Sequence, residues 1–169
     1  MSPTPADVRS LLGYLNWKRG HVLGILDGLD DAALRRPVLP SAWTPVGLVH
    51  HLAVDVERFW FGAVFGAEPD AIASFDVPGD AWQVAGERPV AEVFDLYRAE
   101  TARADALIGS ADPGQGPRWW PGHRDDSPPG TLRDAIVHVL VETATHAGHL
   151  DAVRELIDGR QFLVMDGSS

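Results

Sequence analysis

The sequence predicts an all-α protein, a four-helix bundle with long loops after the second and third helices. Three observations carry this expectation. Apolar residues recur at helical spacing in four long stretches. Each stretch is bounded by helix start or stop signals. Nowhere does an apolar-polar alternation run long enough to build a sheet.

The first helix is expected over about 5–29, where Val8, Leu11, Leu12, Leu15, Val22, Leu23, Ile25 and Leu26 make one apolar face. Asp30 is placed to cap a short turn through Asp31 and Leu34, ahead of a loop from Pro37 to Pro40. A second helix over about 45–66 begins with Thr44 as N-cap and Pro45 at the first helical position, where a missing N–H costs nothing. Residues 67–88, rich in Asp, Ala, Gly and Pro, read as a connection longer than an antiparallel neighbour requires. The third helix is expected over about 89–108 through Val90, Val93, Phe94, Leu96, Tyr97, Ala104 and Leu107. A second long loop, 109–130, carries Pro113, Pro117, Pro121, Pro128 and Pro129 together with Trp119 and Trp120. The fourth helix is expected over about 131–158, closed by Gly159 in a left-handed cap. Arg160 to Met165 reads as a short strand or arm with a frayed end beyond it, and residues 1–169 are assigned to one domain.

At 169 residues and 45% hydrophobic content the chain can bury a core and is too apolar for disorder. A net charge of -10, from 24 acidic and 14 basic residues, argues against a nucleic-acid partner, because phosphate binding needs a basic surface. The N-terminus lacks a signal-peptide pattern and no apolar run approaches the roughly 20 residues of a membrane span. A soluble cytoplasmic protein with no membrane partner is therefore expected. The chain has no cysteine, which excludes disulfides, thiolate ligands of its own and a cysteine nucleophile. Any thiol chemistry must use a thiol brought from outside.

Chemistry concentrates on the fourth helix. Glu142, His146 and His149 stand at offsets of four and seven, so one carboxylate and two imidazoles share a stripe flanked by Val139, Ala147, Leu150 and Val153. Polar groups beside a core need partners, and a divalent cation satisfies several together. On the second helix His50 and His51 are adjacent and about 100° apart, so only one faces inward squarely. His51 shares a stripe with Leu48 and Asp55, and His50 shares one with Val54 and Glu57; periodicity leaves the choice open. A Glu-x3-His pair with one imidazole from the second helix makes three N/O ligands, the number of a catalytic rather than a closed site. The same pair also matches an ordinary solvated helix face. His149 reads either as a hydrogen-bond support behind the ligands or as a residue favourable to the helix dipole. His138, four before Glu142, has the same alternatives of support or packing. Phe59, Trp60 and Phe61 read as core aromatics, and Trp119-Trp120 as a cover for the open end or an anchor for its loop. His21 and His123 stand at no ligand spacing, and Ser41 and Ser110 lack the setting of a nucleophile.

The block PSAWTPVGLVHHLAVDVERFWF from Pro40 to Phe61, followed by Thr131-Leu132-Arg133 and by ETATHAGHLDAVRELIDG from Glu142 to Gly159, resembles the DinB/YfiT-like superfamily. Within it, the chain is similar to the branch labelled mycothiol-dependent enzymes, over nearly its whole length. The resemblance implies a four-helix bundle with one divalent metal held by a helix 2 His and two helix 4 residues four apart. Carried onto this sequence, the helix 2 ligand is His51, the His directly before Leu-Ala, and the helix 4 pair is Glu142 and His146. Many relatives have His where this chain has Glu142; the two-His, one-Glu set resembles that of mycothiol-dependent maleylpyruvate isomerase. His50 duplicates a recognisable position and, with His149 and His138, is a candidate support around the ligands. Zinc is the expected ion, with nickel, iron or manganese as alternatives, since a carboxylate tolerates harder ions than imidazole.

The leading expectation is a metal-dependent enzyme that activates a low-molecular-weight thiol such as mycothiol, for transfer to, or isomerisation of, a small electrophilic substrate. Two rivals remain: a hydrolase that uses the same ligands to activate water, and a non-catalytic bundle that binds metal or a small molecule. A homodimer is expected from the habit of small bundles, and at least one of the two long loops is expected to border the metal pocket.

Overall fold

The computed structural model describes residues 5–75, 79–122 and 130–162; within them the chain is helical and contains no strand. Four long helices are present: α1 (Ala6–Leu26), α3 (Pro45–His51, continued without a break as the π-helix Leu52–Phe65), α5 (Val90–Ser110) and α6 (Leu132–Asp158). Two short ones, α2 (Asp31–Leu34) and α4 (Pro69–Ser74), lie in the connections. No helix among the described residues is long and apolar enough to cross a membrane.

The ends of these helices are set by local chemistry. Asp30 accepts a hydrogen bond from the Ala33 amide at 2.8 Å, and Thr44 accepts one from the Gly47 amide at 3.1 Å with Pro45 behind it. Thr131 and Asp134 cap one another reciprocally at the start of α6, and Gly159 ends it at φ 77°. The first helix stops at Leu26 rather than running to 29, because the chain turns through Gly28 at φ 79°. The segment 67–88 is not wholly irregular, since Pro69 starts the single turn and a half of α4. The second helix loosens after His51 into fourteen residues of π-helix, a winding that is usually confined to single turns.

Pairs of side chains give the helix directions. Asp7 meets Arg133 at 3.1 Å, and His21 meets Asp151 at 2.8 Å, so α1 and α6 run parallel. His50 meets Arg88 just before α5, Arg58 meets Glu100 at 2.9 Å and Glu68 meets Arg103 at 3.4 Å, so α3 and α5 are also parallel. His51 lies beside His146 and Trp60 beside His138, so α3 and α6 are antiparallel. A parallel neighbour can be reached only by returning along the full helix, which explains why the α3–α5 connection is long. Of the expected C-terminal arm, residues 163–165 lie outside the described residues; Phe162 places its ring 4.7 Å from that of His21.

Leu15, Val22, Leu48, Leu52, Phe61, Phe65, Tyr97, Ile108, Ile136 and Leu150 form the dry interior. One ion pair sits inside it. Arg19 and Glu57, 4% and 1% exposed, face each other with two parallel hydrogen bonds of 2.7 and 2.5 Å. The remaining guanidinium nitrogen donates to Asn16 and Asp105, both at 2.7 Å, so every nitrogen of the cation has a partner. Burial pushes the Glu57 carboxyl up while Arg19 pulls it back down.

Candidate metal centre

The cap at Thr44 starts α3 so that its second turn carries His51, and the capping box at Thr131 sets the phase of α6, whose middle carries Glu142 and His146. Where the two helices cross antiparallel, the His51 and His146 rings meet edge to face with centroids 5.2 Å apart. One donor atom from each of His51, Glu142 and His146 lies within 4.8 Å of the other two, a grouping that could hold a metal ion. Glu142 Oε2 and His146 Nε2 are 3.4 Å apart. Tetrahedral ligands at about 2.1 Å from an ion are about 3.4 Å from each other, so small side-chain rotations bring all three into range. The imidazoles are 15% and 12% exposed and the carboxylate 38%, which leaves the cluster anchored in the core and open on the Glu142 side.

Neighbouring groups orient the donors. His51 Nδ1 donates to Asp55 Oδ2 at 2.9 Å, which fixes the tautomer and leaves the Nε2 lone pair for a metal. His146 Nδ1 faces His149 Nδ1 at 3.4 Å, so its other nitrogen, beside Glu142, is the one turned into the cluster. Burial, and next the His51 ring, hold the His146 pKa below its ordinary value, against the opposing charge of Glu142. A neutral imidazole is the form that binds metal. Under the ligand reading, Asp55→Ala is expected to weaken zinc binding about 10–100-fold, measured by chelator competition.

Of the two adjacent histidines, the fold turns His51 to the cluster and His50 away from it. His50 Nδ1 donates to the Ala81 carbonyl at 2.7 Å, and its Nε2 accepts from Arg88 at 3.0 Å. His138 is exposed and packs edge to face on Trp60, 4.8 Å between centroids. His21, given no role from sequence, is buried against Asp151 and Phe162. His123 and part of the loop 109–130 lie outside the described residues.

The first long connection borders the cluster. Trp82 stacks on His51 with centroids 4.2 Å apart at 17°, and turns its plane across His146 at 5.6 Å. Trp43 approaches both Trp82 and His149, at 6.3 and 6.5 Å, from a turn in which Ala42 takes φ 62°. Trp119 and Trp120 pack instead around Phe59, Trp60 and Phe75, and the Arg118 and Trp119 amides both donate to the Val64 carbonyl near the other end of α3. They anchor their loop. Asp55 was legible as the residue four after His51 on a shared stripe; Trp82, in an aperiodic segment, carried no such signal.

A model of the mycothiol S-transferase family matches residues 10–159. The chain belongs to that family. The match covers α3, α5, α6 and all but the first turn of α1, and with them both halves of the cluster, in agreement with the DinB/YfiT-like resemblance of the His50-His51 and Glu142–Gly159 blocks. No curated protein and no solved structure matches the chain.

Proposed function

We propose that the protein is a divalent-metal-dependent transferase whose four long helices form a four-helix bundle around His51, Glu142 and His146, and that these three hold the ion, zinc ahead of nickel, iron or manganese. The observation that carries this reading is the convergence of the three donors from two helices, within 4.8 Å, in a chain of the mycothiol S-transferase family. Two imidazoles and one carboxylate suit zinc and leave a coordination position over. An ion bound there would supply the charge that lets a small thiol lose its proton at neutral pH.

This chain's residues do the rest. Asp55 holds His51 in the ligating tautomer, burial keeps His146 neutral, and Trp82 covers one side of the cluster against water. In the transfer, the thiol gives up its proton to solvent, sulfur donates a pair to the electrophilic carbon, and the leaving group departs with the pair of the broken bond. For a substrate without a leaving group, the π bond at the attacked carbon would pass its pair to a conjugated carbonyl, rotation about the single bond left behind would follow, and return of that pair would re-form the π bond and expel the same sulfur as the thiolate, completing an isomerisation.

Cobalt substitution tests the reading directly. Titrating mycothiol, or a small thiol analogue, into the cobalt protein is expected to add a sulfur-to-metal charge-transfer band in the near ultraviolet. Turnover of an activated aromatic halide or an epoxide is expected to require both metal and thiol. A spectrum unchanged by every thiol, together with unaided hydrolysis of an ester or amide, replaces the transferase with a hydrolase.

A further inference from the structure

We propose that residues 79–89 form a strap that positions His51, with Trp82 as the positioning residue and His50 as the lock; the inference rests on His51 being a ligand. The hydrogen bond from His51 Nδ1 to Asp55 fixes one point of the ring but leaves it free to tilt about that point. The flat stack of Trp82, 4.2 Å from the His51 centroid and only 17° from parallel, removes the tilt. The Trp82 plane also stands across His146, so one side chain sets the mutual orientation of both imidazoles.

Three features of the chain hold this strap down. Gly47 lets the backbone of the strap onto α3: a Cβ there would lie 2.2 Å from the Trp82 carbonyl oxygen, an approach no other residue permits without a shift. His50 bridges the strap, donating to the Ala81 carbonyl next to Trp82 and accepting from Arg88 at its far end. The Ala81 carbonyl can only accept, so Nδ1 carries the proton and Nε2 is the acceptor that Arg88 needs. Arg35 closes the same end by donating to the Ala85 carbonyl at 3.3 Å and to the Arg88 carbonyl. The paired histidines thus divide the work: the helix turns one to the cluster and the other, about 100° round, to the segment that stabilises the first.

Zinc affinity of the full chain, read by chelator competition, tests the strap. Trp82→Ala is expected to weaken binding about tenfold, at the low end of what supporting contacts contribute, and Trp82→Phe to restore most of it. His50→Ala is expected to weaken binding similarly, and the double variant to be no weaker than Trp82→Ala alone, since the lock acts only through the tryptophan. Circular dichroism melts of the metal-free variants, within a few degrees of the parent, show that the fold persists; if Trp82→Ala does not fold, Trp82→Phe and His50→Ala carry the comparison. Wild-type affinity in Trp82→Ala, no rescue by Phe, or losses that multiply in the double variant each overturn the strap. If those results come while His51→Ala loses zinc, the strap alone fails; if His51→Ala binds zinc as the parent does, the ligand reading fails and the strap with it.

Discussion

His51→Ala or His146→Ala is expected to leave the purified protein nearly free of divalent metal, by elemental analysis, where the parent retains close to one ion per chain. Two donors cannot hold zinc as three do, and neither imidazole has a substitute in place: His50 is committed to Ala81 and Arg88, and His149 is exposed behind His146. The loss should exceed the roughly 10–100-fold that removal of an orienting neighbour costs. Glu142→Gln keeps the shape but removes the negative charge, so it should weaken binding and lower any thiol-dependent turnover together. His50→Ala and His149→Ala should each retain far more metal than either ligand variant. A protein emptied by His50→Ala and filled in His51→Ala would show that the other face of α3 holds the ion.

The second large effect is on stability, away from the cluster. Arg19→Met strands the Glu57 carboxylate in a dry interior with its two strongest donors gone, and is expected to cost about 3–5 kcal/mol in urea unfolding. Glu57→Leu should cost less, because Arg19 keeps Asp105 and Asn16 as partners. The double variant, Arg19→Met with Glu57→Leu, removes both buried charges and is expected to recover most of the loss, since apolar replacements of a buried pair are often neutral. Two single losses that simply add would show that the pair is not coupled in the folded state.

Features fixed by neighbours in the chain were readable directly. Thr44 with Pro45, Asp30 and Gly159 all cap as their sequence context implies, because a cap is decided by four or five consecutive residues. The π-winding after His51 was not readable. From Leu52 to Phe65 most residues are buried, and the partly exposed Val54, Asp55 and Arg58 follow His51 at three- and four-residue spacings that fit an ordinary helix, so the pattern does not announce the wider winding. At six residues, α4 is too short to show any period.

The cluster divides in the same way. Spacing alone places Glu142 and His146 on one helix face, because four residues make about one turn, and the family resemblance supplied His51 over His50. Periodicity alone could not choose between the histidines, since each heads a plausible stripe and the identity of the inward stripe depends on where α6 lies. The position of α6 and the partners of both histidines come from long-range packing. The antiparallel crossing of α3 and α6 puts His51 against His146, the return of the chain through 79–89 lays Trp82 on one histidine and ties the other, and α1 delivers Arg19 to Glu57, 38 residues away in sequence. The physical reason is range: backbone hydrogen bonding and capping act within a turn, whereas stacking, ion pairing and donor convergence depend on which distant segments the burial of apolar faces brings together.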